Sequence, residues 1–289
     1  MRGISDYQEA INHVDTVFGF RRFTANGPQC RIVRAEFAIT MNTPEPRIAE
    51  VAVPAARLVL FGGFVLSVAG TRVYLPMHAR RVLAYLSLRK MTENDCCRQI
   101  LAERLWENAS PERSLASLRT ALWLIRRAGP CLLSSDAERV ALADHVDVDV
   151  HRFRRQAESM LADDIGHADL RLLCAAGELL PGWDDDWLVL FREQLRLLRL
   201  HTLETVARRY CEQGHHPEAI DLILRVVGEE PLRESAHTVL IDAHLGAGNA
   251  AEARRQFDVF AANLWRELGL RPSARLGQRV GMPGPGTRR

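Results

Sequence analysis

Between Asn94 and Gly129 the chain carries Arg113, Ser117, Arg119, Thr120, Arg126 and Arg127, within a stretch whose leucines recur every three or four residues. Arginine offers a rigid fork of donors that fits guanine O6 and N7 or a pair of phosphate oxygens, and a hydroxyl can serve a base or a phosphate. On a helix, Arg113, Ser117 and Thr120 share the outward face and are expected at base edges. Arg119, Arg126 and Arg127 fall, by their position along the helix, toward phosphates or into salt bridges. Arg139, near the tip of a later turn, is expected at a phosphate, in the minor groove or simply in solvent. For each of these residues a solvated surface side chain is the competing reading.

Other chemistries find little support. The chain has no GxGxxG, Walker loop, GxSxG elbow or HExxH. Its ten histidines are scattered: His215-His216 sits in a turn that opens a helix, and His237 and His244 share a helical face without a third evident ligand. Asp184-Asp185-Asp186 invites a metal, but three aspartates just before a helix are explained by capping and solvation. The six cysteines form no CxxC pair, and adjacent Cys96-Cys97 are poorly placed to share one metal. Free thiols in a reducing cytosol are expected, with oxidation of Cys96-Cys97 a minor alternative. No catalytic site, metal or cofactor is therefore expected.

The arginines need a scaffold, and the stretch around them reads as two amphipathic helices joined by a turn. Cys97, Ile100, Leu101 and Leu105 supply the apolar stripe of the first. Leu115, Leu118, Leu122 and Ile125 supply that of the second, expected over Pro111–Ala128, with Ser110-Pro111 as start signal and Gly129-Pro130 as stop. A solvated helical hairpin would look similar; the surroundings separate the two. Upstream lie three short strands with glycine turns (Leu58–Phe61, Phe64–Val68 and Arg72–Leu75) and an apolar helix, Met77–Leu88, with Thr92 or Asn94 capping the next helix. Downstream, Leu132–Ser134 and Val140–Leu142 flank a polar turn, a hairpin where a winged helix-turn-helix carries its wing. This order predicts a DNA-reading domain.

Val146–Val150 alternates like a last strand or link, with Asp149 a candidate cap for a helix from His151. Beyond it the chain reads as almost wholly helical: His151–Ala162, Ala168–Leu179, Trp187–Gln213, Pro217–Val227, Leu232–Leu245 and Ala250–Leu268. Gly214-x-x-x-Glu218-Ala219 recurs as Gly248-x-x-x-Glu252-Ala253, an offset of 34, the tetratricopeptide period. The expected fold is thus an α+β winged helix-turn-helix domain at 57–148, then an all-α tetratricopeptide-like domain at 149–275. Residues 1–56 read as a poorly ordered extension with a short strand at Arg31–Ile39, and Met41 is a candidate true start that intact mass of the native protein would test. Residues 276–289 read as a flexible tail.

Composition bounds rather than decides. The chain has 289 residues, 26% charged and 47% hydrophobic, with a net charge of +2, ordinary for a soluble globular protein. Residues 57–150 hold 13 basic against 10 acidic side chains and residues 151–280 hold 17 against 20, so only local placement of arginines can support nucleic-acid binding. No signal peptide or membrane span is legible, and a cytoplasmic, nucleoid-associated protein is expected. One lysine, Lys90, against 37 arginines leans toward a high-GC genome.

Several runs of sequence resemble the streptomyces antibiotic regulatory protein family. They are Phe61-Gly-Gly-Phe64, Leu75-Pro76, Ala79–Leu86, Leu101–Trp106 and Ser117–Trp123 in the first half. Leu179–Trp187, Pro231–His237, Leu245–Ala253 and Glu267–Ser273 are similar to its bacterial transcriptional activator domain. The resemblance implies a response-regulator-type winged helix-turn-helix with recognition helix Pro111–Ala128 and wing Leu132–Leu142, in which Trp106 and Trp123 belong to the core. It further implies a transcriptional activator, often of a secondary-metabolite cluster, that binds promoter direct repeats in double-stranded DNA as a homodimer and engages RNA polymerase holoenzyme. The chain shows no receiver domain ahead of the DNA-binding domain and no P-loop ATPase after the helical one, so control by phosphorylation in cis has no support in these residues. The rival expectation is a protein-interaction or effector-sensing module with little DNA binding of its own. No effector is identified, and an apolar groove between helices is where one would sit.

Overall fold

The computed structural model describes residues 55–91, 95–162 and 170–281. The expectations for residues 1–54, the caps Thr92 and Asn94, the start of a helix at Ala168 and the tail from residue 282 lie outside the described residues. The first strands form as their alternation and glycine turns require: β1 (Ala56–Val59), β2 (Val65–Val68) and β3 (Thr71–Val73) make an antiparallel meander. Helix α1 (Met77–Arg89) follows, and it is a core element, with Ala79 and every residue from Val82 to Leu88 buried. The two residues Cys96–Cys97 form β4, not a helical turn. Helix α2 (Arg98–Leu105) therefore starts later than its apolar pattern suggested. It buries Leu101, Ala102 and Leu105, and leaves Ile100, expected in the stripe, 54% exposed.

Helix α3 spans Pro111–Ala128, as the start and stop signals predict. Ser110 opens it through its extended backbone; its hydroxyl makes no capping bond. Gly129 closes it in an extended conformation, and glycine is needed there for space: a Cβ would lie 2.9 Å from Cγ of buried Leu132. The wing follows as β5 (Leu133–Ser135) and β6 (Arg139–Leu142), and β4 pairs with β6 to give the order β4-β6-β5. Then β7 (Val146–Val148) returns to the first sheet parallel to β1, giving β3-β2-β1-β7.

The second domain comprises α4 (Asp149–Leu161), α5 (Arg171–Ala175), α6 (Asp186–Glu212), α7 (His216–Glu229), α8 (Glu234–Gly246), α9 (Ala250–Leu268) and α10 (Ala274–Arg279). The 34-residue repeat is structural. Gly214 and Gly248 adopt φ of +81° and +78° after α6 and α8. In both turns the next residue's N–H reaches back five residues, His215 to Tyr210 O and Asn249 to His244 O, each at 2.8 Å. This left-handed helix end suits glycine. Two expectations fail. The helix Ala168–Leu179 shrinks, within the described residues, to α5, because residues 178–180 pair with the end of β1: Gly62 N–H donates to Glu178 O and Leu180 N–H to Leu60 O, each at 2.9 Å. And α10, with Leu276 buried, runs past the expected domain edge at 275.

The two domains share one core. A single buried cluster runs from Ala56 to Leu240, and a smaller one gathers Phe257, Phe260 and Leu276 at the far end. Phe61 meets Phe153 at 5.2 Å, Phe64 stacks on Trp183 at 6.1 Å, and Tyr85 meets Trp187 edge-on at 5.3 Å. Arg81 on α1 pairs with Asp185 just before α6. The aspartate run is thus part of an interdomain latch, and no cluster of metal-holding groups occurs among the described residues. No helix among them is long and apolar enough to cross a membrane.

Two imidazoles, His151 half-buried and His237 buried, are expected to make this fold acid-sensitive. His151 Nε2 donates to Ser87 O at 2.7 Å, tying α4 to α1, and His237 Nε2 donates to Pro231 O at 2.9 Å while its ring stacks on Phe260. Burial holds both below the ordinary imidazole pKa, against the pull of those carbonyls; Lys90 and Arg155 add to the lowering at His151, Asp149 opposes it there, and Glu234 opposes it at His237. A folded-state pKa below the unfolded one means stability is full above the unfolded value, about 6.5, and is lost as pH falls through the folded value. The melting temperature is expected to drop between about pH 7.5 and about pH 5.5, either side of that value. The drop should shrink in the His151→Gln/His237→Gln double variant; an equal drop in both proteins would show that other groups set the acid limit.

Candidate nucleic-acid interface

The turn before α3 is fixed by a buried serine. Ser114 Oγ donates to Ser110 O at 3.1 Å and lies 3.3 Å from Trp106 O, so the end of α2 and the start of α3 are held together from inside. Ser114, Leu118, Ala121, Leu122 and Ile125 face the core, where α3 packs on α1 and α2. That seam turns the opposite face to solvent. Arg113, Arg119, Thr120, Arg126 and Arg127 are exposed and Ser117 is half-buried.

Their partners divide them. Arg113 and Arg119 make no hydrogen bond or ion pair among the described residues, so both forks are open. Thr120 Oγ1 donates back to Ala116 O at 3.1 Å, leaving its lone pairs to accept. Arg127 lies over the Trp123 ring, 5.4 Å from its centroid. Arg126 reaches the wing, donating to Ser135 Oγ at 2.7 Å. Arg139 pairs with Asp95 at 3.0 Å, so it does not stand free at the hairpin tip.

The wing itself is braced. Asp136 Oδ1 accepts from the N–H of Glu138 at 2.9 Å and of Arg139 at 2.7 Å, which closes the turn and holds this carboxyl below the usual carboxylate range. Arg98, the first residue of α2, donates its guanidinium to Asp136 O at 2.7 Å and its backbone N–H to Glu138 O. The pattern of apolar residues missed Arg98 because its partner lies 38 residues away. Trp123 is a correction: expected in the core, it is 55% exposed. The seam on α3 was already complete without it, and at roughly 100° per residue Trp123 falls about 80° from Arg113, on the solvent side. Trp106 does pack, half-buried, against the core.

The rival effector-sensing reading would place a ligand in an apolar groove between helices. The cavity described there, about 800 Å³ between α6, α8 and α10, is instead lined by charge: Arg208, Arg275 and Arg279 against Glu212, Glu234 and Asp242. Arg279 already pairs with Asp242.

Fold and interface define a winged helix-turn-helix protein with an appended helical repeat domain. Residues 148–280 match the bacterial transcriptional activator domain family. The chain is similar to the regulatory protein AfsR of Streptomyces coelicolor, with 29% identity over 183 residues, covering 60% of this chain and 18% of that protein. It thus spans about a fifth of the length of the curated relative it matches. Among solved structures it resembles Mycobacterium tuberculosis EmbR in complex with a low affinity phosphopeptide, with a TM-score of 0.61 at 21% identity, over 80% of this chain and 66% of that one. At that identity the likeness speaks to the fold. The helical half of this chain thus carries a bacterial transcriptional activator domain, and the chain is similar to a regulatory protein of Streptomyces over 60% of its length.

Proposed function

We propose that the chain is a sequence-specific DNA-binding transcriptional activator whose α3 enters the major groove. The observation that carries this reading is the outward face of α3, where the open forks of Arg113 and Arg119 stand beside Thr120 and Ser117 on a helix locked against its neighbours. In this reading Arg113, Ser117 and Thr120 address base edges, while Arg119 and Arg127 address phosphates. Arg126 and Arg139 first position the wing, through Ser135 and Asp95, and reach phosphate by sharing those partners. Protomers bind side by side on direct repeats as a homodimer, with the helical domain closing the contact between them. The bound protein recruits RNA polymerase holoenzyme to its promoter, at the nucleoid in the cytoplasm. The domain match and the likeness to a regulatory protein support the activator role.

Selection of duplexes from a random pool by the full-length protein, at salt high enough to suppress non-specific binding, tests the proposal. Direct repeats spaced near one helical turn are the expected result; a folded protein that enriches no sequence refutes it and favours the protein-interaction module. On the selected duplex, Arg113→Ala should cost about 1–3 kcal/mol of specific affinity and relax the preference at one base pair. Equal losses on specific and random DNA would reassign Arg113 to the backbone.

A further inference from the structure

We propose that Trp123 is a sequence-reading residue whose indole packs on a thymine methyl group and the adjoining deoxyribose at the edge of the major groove. The proposal rests on the DNA-binding reading above and adds an apolar contact to its polar ones. Three observations carry it. First, Trp123 is exposed in the middle of α3, although the helix already buries a full seam from Ser114 to Ile125. Packing within the chain does not account for a tryptophan there.

Second, its position on the helix is specific. Trp123 lies within about 20° of exposed Ala116 and about 60° from Thr120 at roughly 100° per residue. Ala116 and Trp123 thus form an apolar strip beside the polar strip Arg113-Ser117-Thr120. In the major groove thymine differs from the other bases by a methyl group that alanine, threonine methyl or aromatic side chains meet.

Third, cations frame the indole. Arg119 lies one turn before it and Arg127 one turn after, and the Arg127 guanidinium sits over the ring, where cation–π attraction restrains the indole. An apolar plate between arginines complements a surface that offers methyl and sugar carbons between phosphates, which is duplex DNA. Trp265 of α9, 58% exposed with Arg271 over its ring at 5.8 Å, is framed in a similar way, but it stands in the helical domain and not beside Arg113, Ser117 and Thr120.

The test uses the full-length protein and the duplex it selects, with single thymines replaced in turn by uracil, which removes only the methyl. One thymine in each repeat should be sensitive, with wild-type affinity falling roughly fourfold there, the burial of one methyl group. Trp123→Ala should bind the intact duplex about tenfold more weakly, and should be indifferent to uracil at that position. Trp123→Phe should retain the sensitivity. Melting curves should be unchanged, because the side chain is exposed. Retained sensitivity in Trp123→Ala, or equal losses on selected and random DNA, overturns the assignment while leaving DNA binding intact. So does normal affinity for a single repeat with lost cooperativity on two, which would place Trp123 in a contact between protomers. A wild-type protein that selects no sequence overturns the DNA-binding reading itself, and this assignment with it.

Discussion

Asp149→Ala is expected to destabilise the chain by about 3 kcal/mol, a large loss for one polar side chain. The carboxylate is 6% exposed and accepts from the backbone N–H of Leu60 and of Phe61, each at 3.0 Å, and from Val150 N–H at 2.8 Å. The first two donors lie just past the end of β1, where its pairing with β2 and β7 has stopped. Alanine would leave them without an acceptor in an apolar setting, and a buried unpaired donor costs about 1–3 kcal/mol. Burial pushes this carboxyl above the ordinary carboxylate range, against the pull of the N–H groups of Phe61, Leu60 and Val150, so part of the hydrogen-bond gain is already offset. Asp149→Asn keeps one acceptor oxygen and removes the buried charge, and should fall between the two. Urea unfolding followed by circular dichroism measures the difference; a loss below about 0.5 kcal/mol, the scale of a surface substitution, would mean that water replaces the carboxylate.

The raised carboxyl works in the opposite sense to the imidazoles. Its contribution is full below the unfolded carboxylate value and is lost as pH rises through the folded one. The two trends oppose each other, so the comparison of wild type with the His151→Gln/His237→Gln variant isolates the imidazole contribution.

What was legible in the sequence is what short-range pattern controls. The ends of α3 and α9, the three-strand meander and the two glycine-closed repeats follow from periodicity and turn chemistry within a few residues. What was not legible depends on partners far away in the chain. Asp149 looks like a helix cap because an aspartate precedes an apolar pattern, yet it serves N–H groups 89 and 88 residues upstream. Residues 176–180 have helical composition, but pairing with the end of β1 overrides it. In the interface, residue types pointed to the arginines of α3, whereas the bonds from Arg126 to Ser135 and from Arg139 to Asp95 require the wing to be in place. The core position of Trp123 was implied by the family resemblance alone, whereas its angular position on α3, outside the seam from Ser114 to Ile125, puts it on the solvent side.

Trp187→Ala should cost about 3–5 kcal/mol, the range for removing a large buried aromatic side chain. Trp187 opens α6 and is 8% exposed, with Tyr85 of α1 edge-on at 5.3 Å and Phe191 one turn on at 6.4 Å. It stands beside the Arg81–Asp185 pair and four residues from Trp183, which stacks on Phe64. Its cavity would therefore open on the surface that makes one core of two domains. For a chain of this size the loss corresponds to a melting temperature lower by about 10 °C. The shape of the transition should change as well: the wild type should unfold in one step, and the variant should separate into two as the winged and helical domains lose their common core. Trp187→Phe tests the cause. The indole N–H has no hydrogen-bond partner among the described residues, so phenylalanine keeps the ring contacts and sacrifices no bond, and should cost about 1–2 kcal/mol. Because α3 packs on α1 and α2 rather than on α6, DNA affinity of Trp187→Ala well below its melting temperature should fall far less than its stability. A single calorimetric transition within about 2 °C of wild type, less than one kcal/mol for a chain of this size, would show that the aromatic contact contributes little to joining the domains.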